Sequence, residues 1–303
     1  MSTNYNTLFD DMKTSLKLAW KSMLSYFLAN LGMIVVVGIL FVLILLPIAG
    51  VLYLALAPLS EATMTALADW AVANPLVIGS LVILVLIPIV SLFMVVSGSI
   101  YGMSYDLVTT GETKAEAAFS YLRRKFLSYA GAGAILTIIV IIPPVIAWGL
   151  TSYAMGYSIT AQASLVLTVF TFVWVFVTSG LTSMVFPAVS SGKGVQEAFK
   201  ESYSLAIRYF DRVFGVLTAI VLLLAITFGP IITWGVALVY IGTVPVMTFV
   251  PVLAALTIWT VVFVFLWLLL FLPMVRIAWV KVYQELTGGK IATQSVVNDV
   301  PIV

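Results

Sequence analysis

Six long apolar runs alternate with short polar segments along the chain. Each run exceeds the roughly 20 residues that an α-helix needs to cross about 30 Å of hydrocarbon. A helix also satisfies its own backbone hydrogen bonds, as a medium without water requires. The pattern therefore predicts an all-α, polytopic membrane protein with six transmembrane helices, at residues 31–57, 76–103, 130–150, 163–187, 213–241 and 250–275.

A shorter stretch before the first, third and fifth runs is amphipathic rather than uniformly apolar. In the first stretch, apolar residues from Phe9 to Phe27 recur every three or four positions, whereas Lys13, Lys17 and Lys21 lie four apart on another side. This spacing is typical of an amphipathic α-helix, so we expect one before each of these three spans. The stripes in the second and third stretches are Ala115, Ala118, Phe119, Leu122 and Phe126, and Val195, Ala198, Phe199, Ala206 and Phe210.

The order of these elements predicts three copies of one unit, each with an amphipathic helix, two spans and a polar turn that contains glycine. The segment VTTG at 108–111 aligns with VSSG at 189–192, and LTGG at 286–289 has the same place in the third copy. The expected divisions of the single membrane domain, residues 1–303, are units at about 8–110, 111–191 and 192–289 and a C-terminal tail at 290–303.

Charged residues are few, and their distribution predicts the orientation of the chain. Only 9% of the 303 residues are charged and 63% are apolar. All fourteen Lys and Arg residues fall on one side of the predicted spans, whereas the opposite loops contain only Glu61 and Asp69. The positive-inside rule therefore predicts a multi-pass protein of the plasma membrane with both termini in the cytoplasm.

The residue types that are missing exclude several kinds of chemistry. The chain has no cysteine and no histidine, which excludes disulfides, thiolate or imidazole catalysis, and metal or haem sites that use those ligands. Apart from Arg276, no span has an ionisable residue near its middle, whereas ion pumps usually hold their ion with buried carboxylates. We therefore expect a protein that is not an enzyme, with no cofactor, no metal site and no nucleic-acid partner.

Arg276 is the first candidate for a binding site. The repeat alignment puts this large cation where the other copies have Gly98 and Ser179. Its fork of N–H donors suits a phosphate or a carboxylate, but an arginine there could instead extend to the membrane surface beside Lys281. Asp106 follows the same face and either pairs with Arg276 or ends its helix.

Other basic residues complete the candidate site for an anion or a lipid headgroup. Lys281 lies one helical turn beyond Arg276, and a short basic run lies in the second amphipathic stretch. Membrane topology alone is the competing explanation for these charges. The full candidate set is Arg276, Lys281, Arg123, Arg124 and Lys125.

Small residues spaced four apart predict close helix packing in the second and fourth spans. The pairs are Gly98 with Gly102, and Ser179 with Ser183. Such faces let helices approach closely, either within one chain or between two copies. Prolines at 47, 143, 144 and 230 are expected to bend their spans, whether as tolerated kinks or as hinges.

The six spans, the three amphipathic stretches and two glycine turns that lead to an Ala-Phe pair resemble one known family. The residues that carry this resemblance run from Gly111 to Phe119 and from Gly192 to Phe199. The family is the six-helix membrane domain associated with glycerophosphoryl diester phosphodiesterases. The resemblance implies a multispanning protein of largely unknown function without assigned catalytic residues. The phosphodiesterase domain is absent, so that activity is not expected here.

Two functions fit these observations. The first is a non-enzymatic membrane protein that handles or senses lipids, or that supports a partner as a scaffold. Its partners would be membrane lipids and either another membrane protein or further copies of the chain. The alternative is a passive or facilitated transporter of a small neutral or anionic solute, which the threefold repetition, the kinked spans and Arg276 favour.

Overall fold

A computed structural model describes residues 5–241 and 246–292, and the described part contains helices and no strands. The helices are α1 Tyr5–Lys21, α2 Met23–Leu56, α3 Glu61–Ala73, α4 Pro75–Thr110, α5 Ala115–Leu136, α6 Ile142–Ala154, α7 Ala161–Thr182, α8 Val185–Ser190, α9 Val195–Arg208, α10 Phe210–Ile241, α11 Val246–Leu266 and α12 Leu272–Thr287.

Six helical segments of the described chain are long and apolar enough to cross a membrane. They are Met23–Leu56, Pro75–Thr110, Ala115–Ala154, Ala161–Ser190, Phe210–Gly235 and Pro251–Thr287. Each corresponds to one apolar run of the sequence. The prediction of an all-α protein with six membrane-spanning helices is thus confirmed at the level of helix length and composition.

Two of these segments contain a π-helical turn, and proline explains both. The turns, Thr137–Ile141 and Trp267–Phe271, end two residues before Pro143 and Pro273. A proline has no N–H to donate and its ring collides with the carbonyl one turn earlier, so the helix widens locally. The carbonyl groups that lose their helical donor must then find another partner.

Three local distortions interrupt the helices before or within the odd-numbered spans. Ser22 separates α1 from α2, Lys125 leaves helical geometry within α5, and Tyr209 separates α9 from α10. Hydrogen bonding continues across the first break, because Ser22 N donates to Leu18 O and Tyr26 N donates to Ser22 O, both at 3.0 Å. The backbone hydrogen bonds also continue across Tyr209, whose N donates to Leu205 O and whose O accepts from Val213 N.

The buried core lies at one end of the bundle, which we call the basic end. It is formed by α1, α5, α8, α9 and α12 with the C-terminal half of α4 and the starts of α2 and α10. At the opposite end, α3 has no buried residue and most apolar side chains of α2 and α4 are exposed, as lipid-facing residues should be. Any site formed by several helices is therefore expected at the basic end.

The helices of the basic end are arranged so that the last returns to the first. Helix α4 packs along α5, α8 packs against α9, and α12 packs against α1 and α4. Asp11 contacts Lys281, and Asn30 contacts Leu268, so α1 and α2 run antiparallel to the last helical segment. We call the contact of α12 with α1 and α2 the seam, and both candidate residues lie there, since Lys281 contacts α1 and Arg276 contacts α2.

Candidate functional site

Arg276 lies in the second turn of α12, half-buried at the seam with α2 and α4. Its Nη1 donates a hydrogen bond of 3.2 Å to Oδ1 of Asn30. Tyr26 and Tyr101 are close enough to interact electrostatically with the guanidinium. We call Tyr26, Asn30, Tyr101 and Arg276 the Arg276 site.

The orientation of Asn30 follows from the proline in α12. In the π-helical turn, Leu272 N donates to Trp267 O, so the next donor in this pattern would be Pro273, which has none. The carbonyl of Leu268 therefore has no backbone donor, and it accepts a long hydrogen bond of 3.4 Å from Nδ2 of Asn30. Because Nδ2 of Asn30 is bonded to Leu268, its Oδ1 points to Arg276. The proline thus determines the orientation of the amide that binds the guanidinium.

The same solution occurs at the other π-helical turn. There Ile142 N donates to Thr137 O, and Pro144 cannot donate to Ile139 O in turn. That carbonyl accepts a hydrogen bond of 3.0 Å from the indole N–H of Trp174. Trp174 has no further polar atom, whereas the amide of Asn30 has a second one, which is free to accept from a cation.

No carboxylate neutralises Arg276 within the part of the chain that the structure describes. A guanidinium has five N–H donors, and the structure gives Arg276 one hydrogen bond, to a neutral amide. Asp106, which the sequence placed on the same face, instead accepts a hydrogen bond of 2.8 Å from the hydroxyl of Tyr121. The Arg276 site is therefore a half-buried positive charge whose counter-ion the described residues do not supply.

The two tyrosines of the Arg276 site differ in what they can offer. The hydroxyl of Tyr26 is paired with Oγ of Ser104 at 2.8 Å, and Ser104 in turn donates to Ile100 O. The ring of Tyr101 stacks on Phe186 with 5.6 Å between centroids, and its hydroxyl makes no hydrogen bond to a described residue. Tyr101 can thus donate a second hydrogen bond to an anion held by Arg276.

Lys281 belongs to a separate, neutral charge network. Its Nζ lies 3.0 Å from Asp11 Oδ1 and 3.7 Å from Glu285 Oε1. Arg212 of α10 contacts the same two carboxylates, at 2.6 Å and 2.5 Å. Two cations thus face two anions, and the network joins α1, α10 and α12. The charge of Lys281 is used inside the protein and does not add to the Arg276 site.

The three basic residues of α5 are not brought to Arg276 either. Lys125 Nζ donates to the carbonyl groups of Val189 and Ser190, at 2.5 Å and 3.2 Å, where a cation stabilises the C-terminal end of α8. Arg124 lies over the ring of Tyr121, 5.3 Å from its centroid. Arg123 is exposed and makes no contact with Arg276.

The small residues of the fourth helix pack under aromatic rings rather than against another backbone. A Cβ added at Gly98 would collide with the ring of Tyr129, and one at Gly102 with the ring of Tyr121. The later pair, Ser179 and Ser183, is half-buried, and the hydroxyl of Ser183 donates to Gly180 O at 2.9 Å.

A separate pocket of about 540 Å³ lies between α10 and α11. Its walls are mostly apolar, and it opens widely at the surface of the helices. It lies away from the Arg276 site and shares no residue with it. The lining residues are Ala225, Ile226, Gly229, Pro230, Thr233, Trp234, Val252 and Leu256.

The sequence did not single out the residues that surround Arg276. Tyr26 and Asn30 lie four positions apart at the start of the first span, where a strongly polar amide before a long apolar run was a usable signal. Asp11 is one of several charged residues in an amphipathic helix, and nothing in the sequence distinguishes it from the others. The roles of Asn30 and Asp11 became apparent only from the packing of α12 against α1 and α2.

Comparisons with known proteins give no further guide to the site. No family model matches the chain, and neither a search of curated proteins nor one of solved structures finds a match. The resemblance to the phosphodiesterase-associated membrane domain therefore stays a prediction. The described chain is helical and has six segments that are long and apolar enough to span a membrane, and its function must be inferred from its own residues.

Proposed function

We propose that this chain is a non-enzymatic integral membrane protein that handles or senses lipids by binding the phosphate of a lipid headgroup at Arg276. The observation that carries the proposal is the half-buried guanidinium with one neutral hydrogen bond and no carboxylate among the described residues. A half-buried charge within a spanning helix is costly unless it is paired. A phosphate oxygen would supply that pairing.

The neighbouring groups support a phosphate over a neutral ligand. The planar fork of an arginine matches two phosphate oxygens at once, and the hydroxyl of Tyr101 can donate a third hydrogen bond. Asn30 presents an acceptor to Arg276, which holds Nη1 and leaves the other N–H groups of the guanidinium for a ligand. Because Lys281 is already paired with Asp11, the site is selective for a single anionic group rather than for a polyanion.

The proposed orientation puts the Arg276 site near the inner leaflet of the plasma membrane, with both termini in the cytoplasm. Its support is the location of every Lys and Arg of the sequence on one side of the spans. Because the chain has no cysteine, single cysteines at Lys114 and Ser158 can be labelled with an impermeant maleimide. The first should react only after the cells are opened and the second in intact cells, and the reverse pattern would overturn the orientation.

The proposed architecture is three two-helix units, each preceded by a cytoplasmic amphipathic helix. The packing of α4 on α5, of α8 on α9 and of α12 on α1 supports it, because each unit would then contact the next and the third would close on the first. Gly98 lies under Tyr129 at the first of these contacts, and Arg276 bonds to Asn30 of α2 beside the last. The lipid site would occur in the third unit, where Arg276 occupies the position that Gly98 has in the first.

Mass spectrometry of the lipids that remain with the full chain after gentle extraction tests the proposed function. We expect phosphate-containing lipids above their bulk proportion in the wild type, a loss of that excess in Arg276→Ala, and partial retention in Arg276→Lys, which keeps the charge without the fork. Arg123→Ala is the matched control, because Arg123 is exposed and apart from the site.

Two results would contradict the proposal. One is bulk lipid in bulk proportions with the wild-type chain, and the other is an excess that Arg276→Ala leaves unchanged. Adding inorganic phosphate during extraction separates the sources of the anion. If free phosphate removes the bound lipid at low concentration, the site recognises the phosphate group and the acyl chains contribute little.

A further inference from the structure

Helix α1 packs on the protein with a side that includes an aspartate and a serine, and its largest apolar side chains lie elsewhere. Asp11, Ser15, Leu18 and Ala19 are buried against the rest of the basic end. The opposite side, which we call the outer face of α1, is exposed in the structure over residues 5–241 and 246–292. It combines three large apolar side chains with four charged ones, which are Phe9, Leu16 and Trp20, and Asp10, Lys13, Lys17 and Lys21.

The exposure of its large side chains is unusual for a helix packed on a core. Phe9 is 77% exposed and Trp20 is 66% exposed. An apolar stripe at helical spacing normally faces the protein interior, and a large exposed apolar patch indicates a contact with something else. Here the interior position is taken by Asp11, which the charge network with Arg212 and Lys281 holds there.

The outer face of α1 continues into the exposed side of α2. From Trp20 the next exposed apolar residues are Leu24, Leu28 and Leu31, at intervals of four, four and three. The hydrogen-bond ladder also continues through Ser22. Because α2 is apolar enough to span the membrane, its exposed side contacts acyl chains, and the outer face of α1 begins where that contact ends.

We propose that the outer face of α1 is a docking surface for anionic phospholipids of the leaflet at the basic end. Trp and other amphipathic rings favour the headgroup level, and lysines extend their charges to headgroup phosphates. Three lysines four residues apart outnumber Asp10 on this face, and the resulting positive excess complements a negative lipid surface, which attracts each nearby lysine. An acidic protein would satisfy the lysines alone, whereas a lipid surface also accounts for the continuity with α2. The inference is independent of Arg276.

A single label on this face tests the proposal. Leu16→Cys gives the otherwise cysteine-free chain one thiol for a fluorescent label. The full chain is placed in nanodiscs that contain phosphatidylcholine and a small fraction of a spin-labelled lipid, either phosphatidylglycerol or phosphatidylcholine. We expect stronger quenching by the anionic lipid. The ratio of the two should fall toward one in Lys13→Gln/Lys17→Gln, by up to about fivefold per lysine.

The control has the same change in charge elsewhere at the basic end. Lys200→Gln/Arg208→Gln removes two exposed cations from α9 and should keep the quenching ratio. A ratio near one in the wild type, or an equal fall in the α9 variant, would overturn the preference of α1 for anionic lipid. Absence of quenching by either lipid would show that protein covers the outer face of α1, and would also overturn the proposal.

Discussion

The charge network at the seam offers the most direct test of how the bundle is closed. Asp11 is 3% exposed and receives contacts from both Lys281 and Arg212, on two different helices. Asp11→Asn keeps the shape of the side chain and removes its charge. Two cations then face Glu285 alone, and α1 loses its charged contact with both α10 and α12.

The expected cost follows from the burial of these groups. Removal of one partner from a buried ion pair destabilises by about 3–5 kcal/mol, because the other charge is left without compensation. We expect about 3 kcal/mol here, the lower end of that range, since Glu285 remains. The free energy of unfolding can be measured by titration with sodium dodecyl sulfate in mixed micelles. Glu197→Gln is the control, because its pair with Lys193 is exposed and should contribute less than about 1 kcal/mol.

A double-mutant cycle shows whether the cost belongs to the network. If Lys281→Met is added to Asp11→Asn, the pair should be less destabilising than the sum of the single changes by about 1–3 kcal/mol. Additive effects would mean that the two residues do not share a network. A loss for Asp11→Asn as small as that for Glu197→Gln would refute the inference that buried charge holds α1 in place.

Three further predictions concern packing, proton binding and proline. Gly98→Ala should cost about 1–3 kcal/mol by forcing Tyr129 to move, whereas Gly38→Ala, with open space around it, should change the free energy of unfolding by less than about 0.5 kcal/mol. The hydrogen bond to Glu201 raises the pKa of Lys193 in the folded protein. The stability that this bond contributes is therefore fully present below the unfolded pKa of about 10.5 and is lost as pH rises through the folded pKa. Above pH 10.5 the free energy of unfolding should fall more steeply in the wild type than in Lys193→Met. Pro273→Ala should give Leu268 a backbone donor, release Asn30 and reduce the lipid retained at Arg276 without unfolding the chain.

Hydropathy was sufficient to predict the spans because crossing lipid is a requirement on single segments. Each helix satisfies its own backbone, so composition and length decide where it forms. The breaks at Ser22, Lys125 and Tyr209 were not predictable in the same way. Hydrogen bonding continues across Ser22, and no proline or glycine occupies any of the three positions, so the local sequence carries no signal.

The direction in which α1 faces could not be predicted from its pattern. A hydrophobic stripe shows that a helix has two sides, but the sequence does not say whether lipid or protein covers the apolar one. In this chain the protein contacts the side with Asp11 and Ser15, because Lys281 and Arg212 come from distant parts of the chain to meet the carboxylate. Long-range pairing of this kind decides the face, and no window of neighbouring residues contains it.

Arg276 was visible in the sequence because it breaks a pattern of small residues, but its chemistry depends on partners that pattern could not identify. Pro273 removes a donor, Leu268 loses its helical bond, and Asn30 satisfies that carbonyl while its oxygen accepts from Arg276. The guanidinium is thus oriented by a neutral group, and its positive charge is not balanced by a described carboxylate. The charge of Lys281, five residues later, is balanced by Asp11. Two cations five residues apart on the same helix therefore have different roles. Lys281 pairs with a carboxylate across the bundle, whereas Arg276 has no carboxylate partner among the described residues, and this difference is the physical basis for proposing lipid binding at Arg276.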